Sequence, residues 1–456
     1  MKSTNSTIER RRRTRRNVAN LLGAFALSTA TVSVSLVGCG GDAKNVNYPK
    51  ADAGAGTAVV TDQGEQVGII SAAPTAHADL EGDAKADYQR GFLAWVQGDL
   101  PAAKAAFREA AQHAPKASAP QYSLGAVLER LGDSQGAQDA YKAAYANDNE
   151  FEFAAGAYAV SAALAGKTSE ADAFLTDLHK KKPSSARIAG YLAEVKSIAK
   201  DSGGAQAMAQ EALKIDPDFK DAMVVIARDH FRSRRLDLAQ YALQAILEGF
   251  GDSTPARDKD NPEARLLRGV IAKEHGRRAA AMADFDAARQ KRPDLTEATL
   301  NLGVMKLEAG NATEAKPLLD NASRYTPNSP LAHLALGDCY RLLGDTAKAK
   351  LELDKALALD SSLAGAHYNL GLLYLFSPKM LGVSADDQVS KAITEFETYK
   401  TMRGTKAPTG TNDDIDELIN RAKAKQAEMK NAAAATAGGT AAPAGTAAPA
   451  ATAKPK

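Results

Sequence analysis

Residues 330–360 read PLAHLALGDCYRLLGDTAKAKLELDKALALD. Small and apolar residues recur at helical spacing on both sides of Gly344-Asp345. The stretch therefore predicts two helices joined by a tight Gly-Asp turn. Its landmarks are Leu336-Gly337, Gly344-Asp345, Ala349, Leu353 and Ala356. Stepping back by 34 residues finds Leu302-Gly303, Gly310, Ala315, Leu319 and Ala322. A further step finds Gly269, Gly276, Ala281, Phe285 and Ala288, and a step forward finds Leu370-Gly371 and Tyr374. A second in-phase run lies upstream. Its starts are Ala84, Ser118, Glu152, Ala186 and Lys220, and its landmarks include Gly91, Ala103, Phe107 and Ala110, then Gly125, Ala137, Tyr141 and Ala144. The phase slips by eight residues across 250–261.

This register resembles the tetratricopeptide (TPR) repeat, a 34-residue helix-turn-helix unit. The physical logic fits. Small residues at repeat positions 8, 20 and 27 let the two helices approach closely, and the bulky residue at 24 fills the gap beside them. Proline at 32, as in Pro115, Pro183, Pro217, Pro293 and Pro327, ends the second helix. The expectation is an all-α fold, a superhelical solenoid of about nine repeats. Repeats 1–5 span 84–253 and repeats 6–9 span 262–402, with an insertion at Ser377–Ser390 inside the ninth. A stack of this kind needs capped ends. Ile415, Leu418, Ile419 and Ala422 at helical spacing predict a capping helix within 403–431, with Asn412 or Asp413 as its N-cap.

The ends of the chain have another composition. Arg10 to Arg16 form a basic run, followed by an apolar segment from about Val18 to Val37. That is the layout of a secretory signal. It closes on Leu36-Val37-Gly38-Cys39, which resembles the lipobox of bacterial lipoproteins. The resemblance implies cleavage after residue 38, lipid attachment at Cys39 and, with Gly40 next, residence at the periplasmic face of the outer membrane. Arg15-Arg16 is read as ordinary signal charge. Residues 39–83 are expected to be a flexible linker, with a short hairpin around Thr57–Ile70, and the Ala/Thr/Pro/Gly tail 432–456 to be disordered.

Residues 1–38 hold seven cationic side chains and one acid, a net of +6, so the remainder stands at −4 against the chain's +2. A mildly acidic body gives no electrostatic case for nucleic acid. Seven histidines are scattered without metal spacing, and no nucleophile elbow, P-loop or dinucleotide fingerprint occurs. Cys339 reads as a buried structural thiol. No enzyme activity, cofactor or small-molecule substrate is expected.

TPR arrays use positions 2, 5, 9, 12 and 13 of the first helix to line a concave surface. Here those positions hold Lys85, Tyr88, Phe92, Trp95 and Val96, then Tyr122 and Arg130, then Phe153. The aromatic set Tyr88, Phe92, Trp95 and Tyr122 is a candidate partner surface; the alternative is packing against residues 40–80 or a cap. Arg228, Phe231 and Arg232, with Arg234 and Arg235 beyond, are a second candidate that could grip an acidic segment. The clamp for chaperone C-terminal tails is absent, because position 5 holds Tyr88, Tyr122 and Gly156 in place of lysine. The whole layout resembles TPR lipoproteins of myxobacterial gliding-motility complexes, which implies envelope proteins as partners. A pilotin-like assembly factor for a pilus or secretion secretin, or an adaptor of a peptidoglycan enzyme or polysaccharide exporter, fits the same layout.

Overall fold

The computed structural model describes residues 80–378, 380, 382–403 and 414–438. The signal segment, Cys39, the hairpin expected around Thr57–Ile70, Asn412, Asp413 and residues 439–456 lie outside them. Among the described residues the regular structure is helical throughout, nineteen helices in all, with one isolated bridge between Gly249 and Pro255.

The helices pair in order. The first five pairs are α1 (Gly82–Gln97) and α2 (Leu100–His113), α3 (Ser118–Arg130) and α4 (Ser134–Asn147), α5 (Glu152–Leu164) and α6 (Thr168–Lys181), α7 (Ala186–Ile198) and α8 (Ser202–Ile215), and α9 (Lys220–Arg232) and α10 (Leu236–Leu247). After the loop at 248–261 come α11 (Pro262–Glu274) and α12 (Arg278–Lys291), α13 (Thr296–Glu308) and α14 (Ala312–Tyr325), α15 (Pro330–Leu343) and α16 (Thr346–Leu359), and α17 (Ala364–Phe376) and α18 (Ala385–Arg403). The last helix, α19 (Ile415–Gly438), packs on α18. These are nine TPR-type hairpins stacked into a solenoid, with a terminal helix closing the C-terminal end.

The register seen in sequence is the packing rule of the array. A methyl group placed on Gly91 would lie 2.6 Å from the Phe107 ring, and one on Gly125 would lie 2.6 Å from Tyr141. The same lock pairs Gly269 with Phe285 at 2.7 Å, Gly337 with Leu353 at 2.7 Å and Gly371 with Phe396 at 2.5 Å. Position 8 must be small because the position-24 side chain occupies its space. Phe107, Tyr141, Phe285 and Phe396 are all fully buried there.

The turns between paired helices are equally regular. Gly98, Gly132, Gly166, Gly276, Gly310 and Gly344 all take the left-handed conformation, and Asp99, Asp133 and Asp345 then cap the next helix. In repeats 4 and 5 the same slot holds Lys200 at φ 65° and Arg234 at φ 58°. A side chain there costs roughly 1–2 kcal/mol, of which glycine's greater chain freedom gives back ~0.5–1 kcal/mol. Lys200→Gly is therefore expected to stabilise the array by ~0.5–1 kcal/mol, read as a higher urea midpoint by circular dichroism.

Three boundaries differ from expectation. The first helix starts at Gly82, with Leu80 already buried, inside the segment expected to be linker. The insertion in repeat 9 is shorter than expected, because α18 begins at Ala385. Gln388 explains that start. Its side-chain amide donates to the carbonyls of Tyr374 at 2.9 Å and Ser377 at 3.1 Å, and its Oε1 accepts from the Met380 N–H at 3.2 Å. It thus ties the insertion to the helix. Finally, α19 continues to Gly438, into the tail expected to be disordered. The run Ala432 to Ala435 has the highest helix propensity available and extends a helix that is already nucleated. The cap otherwise packs as expected, with Ile415, Leu418, Ile419 and Ala422 buried and Lys425 reaching the Leu375 carbonyl at 3.2 Å.

Candidate interaction surface

The aromatic set at the N-terminal end does not form an open surface. Tyr88 is buried, 5.3 Å from the Phe107 ring, and its hydroxyl meets Ser123 at 3.1 Å. Tyr122 is buried between Tyr141 at 5.4 Å and Phe151 at 5.0 Å. Phe92 is half-buried against the same cluster. The physical reason is the close approach just described. Position 5 borders the position-24 ring, so an aromatic there packs inward.

Trp95 departs from expectation in another way. It is 1% exposed, and its edge-on neighbour at 6.3 Å is Tyr325, at the end of α14 in repeat 7. The solenoid curves far enough to bring repeats 1 and 2 against the turns that flank repeat 7. Tyr325 donates its hydroxyl to the Val96 carbonyl at 2.7 Å, and Arg324 donates to the Gln97 carbonyl at 3.1 Å. One helix pair along, Asn328 donates to the Leu131 carbonyl at 2.5 Å. Arg130 reaches the Asp294 carbonyl at 2.9 Å and the Thr296 hydroxyl at 3.3 Å. Trp95, Val96 and Arg130, expected to face a partner, instead face the chain's own second half. Leu80 belongs to the same buried cluster as Trp95, and residues 40–79, the other cover expected for this face, lie outside the described residues.

The arginines of repeat 5 are also engaged internally. Arg228 pairs with Glu194 at 2.8 Å and with Glu263 at 2.5 Å, and so links repeats 4, 5 and 6. Arg232 pairs with the other Glu194 oxygen at 2.8 Å and donates to the Ser197 hydroxyl at 2.9 Å. Arg292 carries the chain onward from Glu263 at 3.0 Å to Asp294 at 3.6 Å. Asp294 meets Arg130 at 3.7 Å. A line of alternating charge thus runs from repeat 4 to the end of repeat 6 and across to repeat 2. Burial alone would raise the Glu194 carboxyl, but Arg228 and Arg232 more than offset it and hold the group at about 2. Phe231 is half-buried on the core of repeat 5. Arg234 pairs with Glu274 at 3.0 Å, and Arg235 with Asp229 at 3.2 Å.

Phe153, another expected surface residue, lies under Arg187, whose guanidinium sits 3.8 Å from the ring centre. Arg187 lines a cleft of about 710 Å³ at the turns between repeats 3, 4 and 5, together with Glu152, Lys182, Ser185 and Phe219. Its charges are largely spent within the wall: Lys182 pairs with Glu150 at 2.8 Å, and Ser185 donates to Glu152 at 2.8 Å. A different feature is free on the surface. Tyr241 and Phe250 stack at 4.7 Å, and are 63% and 40% exposed. Phe250 is presented by the loop at the phase slip, where its N–H donates to the Thr254 carbonyl at 2.8 Å. The sequence gives no signal for this pair, because its two members belong to a helix and a loop with no shared pattern. Cys339 is fully buried, its thiol pushed up to about 12 by burial and by Asp338.

Family models described as tetratricopeptide repeat match residues 88–150, 224–296 and 306–368. The chain carries TPR repeats. Among solved structures, the TPR array is similar to the APC/C hetero-tetramer Cut9-Hcn1, at 15% identity over 74% of this chain and 76% of that one, TM-score 0.46. It is similar to Pseudomonas aeruginosa pilF at 17% identity over 53% of this chain and 97% of that one, TM-score 0.41. A tetratricopeptide repeat protein from Parabacteroides merdae matches at 15% identity over 75% and 99%, TM-score 0.28. None of these likenesses carries function across. No curated protein matches the chain.

Proposed function

We propose that this protein is a lipid-anchored scaffold that holds other proteins together in a cell-envelope complex. TPR repeats make it a protein-interaction scaffold; the anchor and the compartment are the finer part of the reading. The observation that carries that part is the sequence Leu36-Val37-Gly38-Cys39 standing ahead of a spacer and a long TPR array. A thiol at Cys39 would take a diacylglyceryl group, and each buried methylene contributes about 0.8 kcal/mol to membrane residence. Two or more acyl chains give stable anchoring, whereas one does not. Gly40 favours the outer membrane over the inner. The spacer would then hold the solenoid in the periplasm. The resemblance to gliding-motility lipoproteins makes a motility complex the first class of assembly to examine.

Cys39→Ser tests the anchor. The expected result is an unprocessed precursor that no longer incorporates labelled palmitate and leaves the outer-membrane fraction. Normal processing and fractionation of the variant would sink the reading. Co-purification from detergent-solubilised envelopes addresses the complex. Recovery of motor and barrel proteins supports a motility scaffold, and recovery of a secretin alone supports the pilotin-like alternative.

A further inference from the structure

The contact between repeats 1 and 2 and the turns around repeat 7 is unlike the packing elsewhere in the array. It is made end-on. Arg324, Tyr325 and Asn328 reach carbonyls at the ends of α1 and α3, and Arg130 reaches back. It also leaves buried polar atoms without hydrogen bonds: Trp95 Nε1, Arg130 Nε and both carboxylate oxygens of Asp294. Asp294 is fully buried, and Arg130 approaches its carboxylate no closer than 3.7 Å. Each such atom costs free energy comparable to a hydrogen bond gained, and water would satisfy all of them if the contact parted. Closing the contact thus carries a cost beside its hydrogen bonds, although Arg292 at 3.6 Å stays with Asp294 in either state. A solenoid also changes curvature by small rotations spread over its repeats, so its two ends can separate without unfolding any helix pair.

We propose that this contact is a clasp: the array exchanges between a closed form, as seen here, and an open form in which the inner ends of repeats 1 and 2 are released. Closed, the clasp shields Trp95, Val96 and Arg130 from solvent, and open, it exposes them. The proposal stands apart from the anchored-scaffold reading, since it concerns the shape of the array and not its membrane or its complex.

Trp95 is the only tryptophan of the chain and lies in the clasp, so its emission reports the state directly. In the full chain, Arg324→Ala with Asn328→Ala removes two exposed donors from the contact. The expected result is a red shift of the emission, greater quenching by acrylamide and a larger radius in X-ray scattering, at unchanged helicity. A second variant closes the clasp covalently. A Cβ at residue 132 would lie 3.8 Å from that of Asn328, against about 3.8 Å in a disulfide. Gly132→Cys with Asn328→Cys should form that bond on mild oxidation, seen as faster migration on a non-reducing gel, and should keep Trp95 shielded until reduction. Trp95 remaining as shielded as in the parent after the double alanine change would overturn the proposal. So would a loss of helicity, which would make the contact part of the folding core. If the cysteine pair fails to fold, because residue 132 is left-handed, the alanine pair still decides.

Discussion

Glu194→Ala is expected to cost about 3 kcal/mol, because it leaves the half-buried Arg232 without a counter-charge and Arg228 with Glu263 alone. Glu194 is 1% exposed, and each of its oxygens receives one of the two guanidinium groups. Removing one partner of such a group strands the others, whereas replacing the whole set with apolar residues of similar volume would cost far less. Glu194→Leu with Arg228→Met and Arg232→Leu is the control that separates stranded charge from lost packing. Urea unfolding followed by circular dichroism reads the difference, and hydrogen exchange should place the loss in repeats 4 to 6. An effect below about 1 kcal/mol would mean that the pairs are solvated and weak.

The same group sets a limb of the pH profile. Its carboxyl lies at about 2 in the folded array against an ordinary value of 4.5. A depressed folded value means that the unfolded chain takes up the proton first. The stabilisation is therefore complete above pH ~4.5 and is lost as pH falls towards 2, about 3 kcal/mol in all. Glu194→Gln should flatten the acid limb by a similar amount.

Phe285→Ala is expected to cost about 3–5 kcal/mol, from a fully buried ring that fills the space above Gly269. The ring also packs with Ala272, Ala281, Leu302 and Met305, so one cavity loosens both repeats 6 and 7. Phe285→Leu should cost only about 1 kcal/mol, since leucine fills the equivalent slot at Leu319 and Leu353. A repeat array unfolds in neighbouring blocks more readily than as a whole. In the Phe285→Ala variant, hydrogen exchange should therefore show repeats 6 and 7 opening at lower urea than repeats 3 and 4. Coincident transitions would show that the array is one cooperative unit and that the local reading is wrong.

The repeats were legible because each obeys a contact made within 34 residues. The glycine at position 8, the bulky residue at 24 and the Gly-Asp turn meet inside one hairpin or its neighbour, so sequence spacing and spatial contact coincide. Lys200 and Arg234 show the limit of that legibility. The slot is recognised from its neighbours in phase, although the residue in it is unfavourable. The candidate surface was less legible. Tyr88 and Tyr122 stand at positions that line a groove, yet an aromatic there is drawn onto the ring at position 24. Arg228 and Arg232 look like free charge in sequence, because Glu194 lies one repeat upstream and Glu263 one repeat downstream. The stacked Tyr241 and Phe250 depend on a loop that belongs to no repeat.

Trp95 marks the division most plainly. Sequence alone determined the hairpins, their order, the slip between two blocks and the capping helix, because the physics of each is local. Tertiary structure decided which inner faces are free. The rotation from one repeat to the next is too small to see in any single pair, but summed over the array it brings Val96 to Tyr325 and Leu131 to Asn328. No local pattern encodes that meeting, since it depends on the total curvature of the repeats in between.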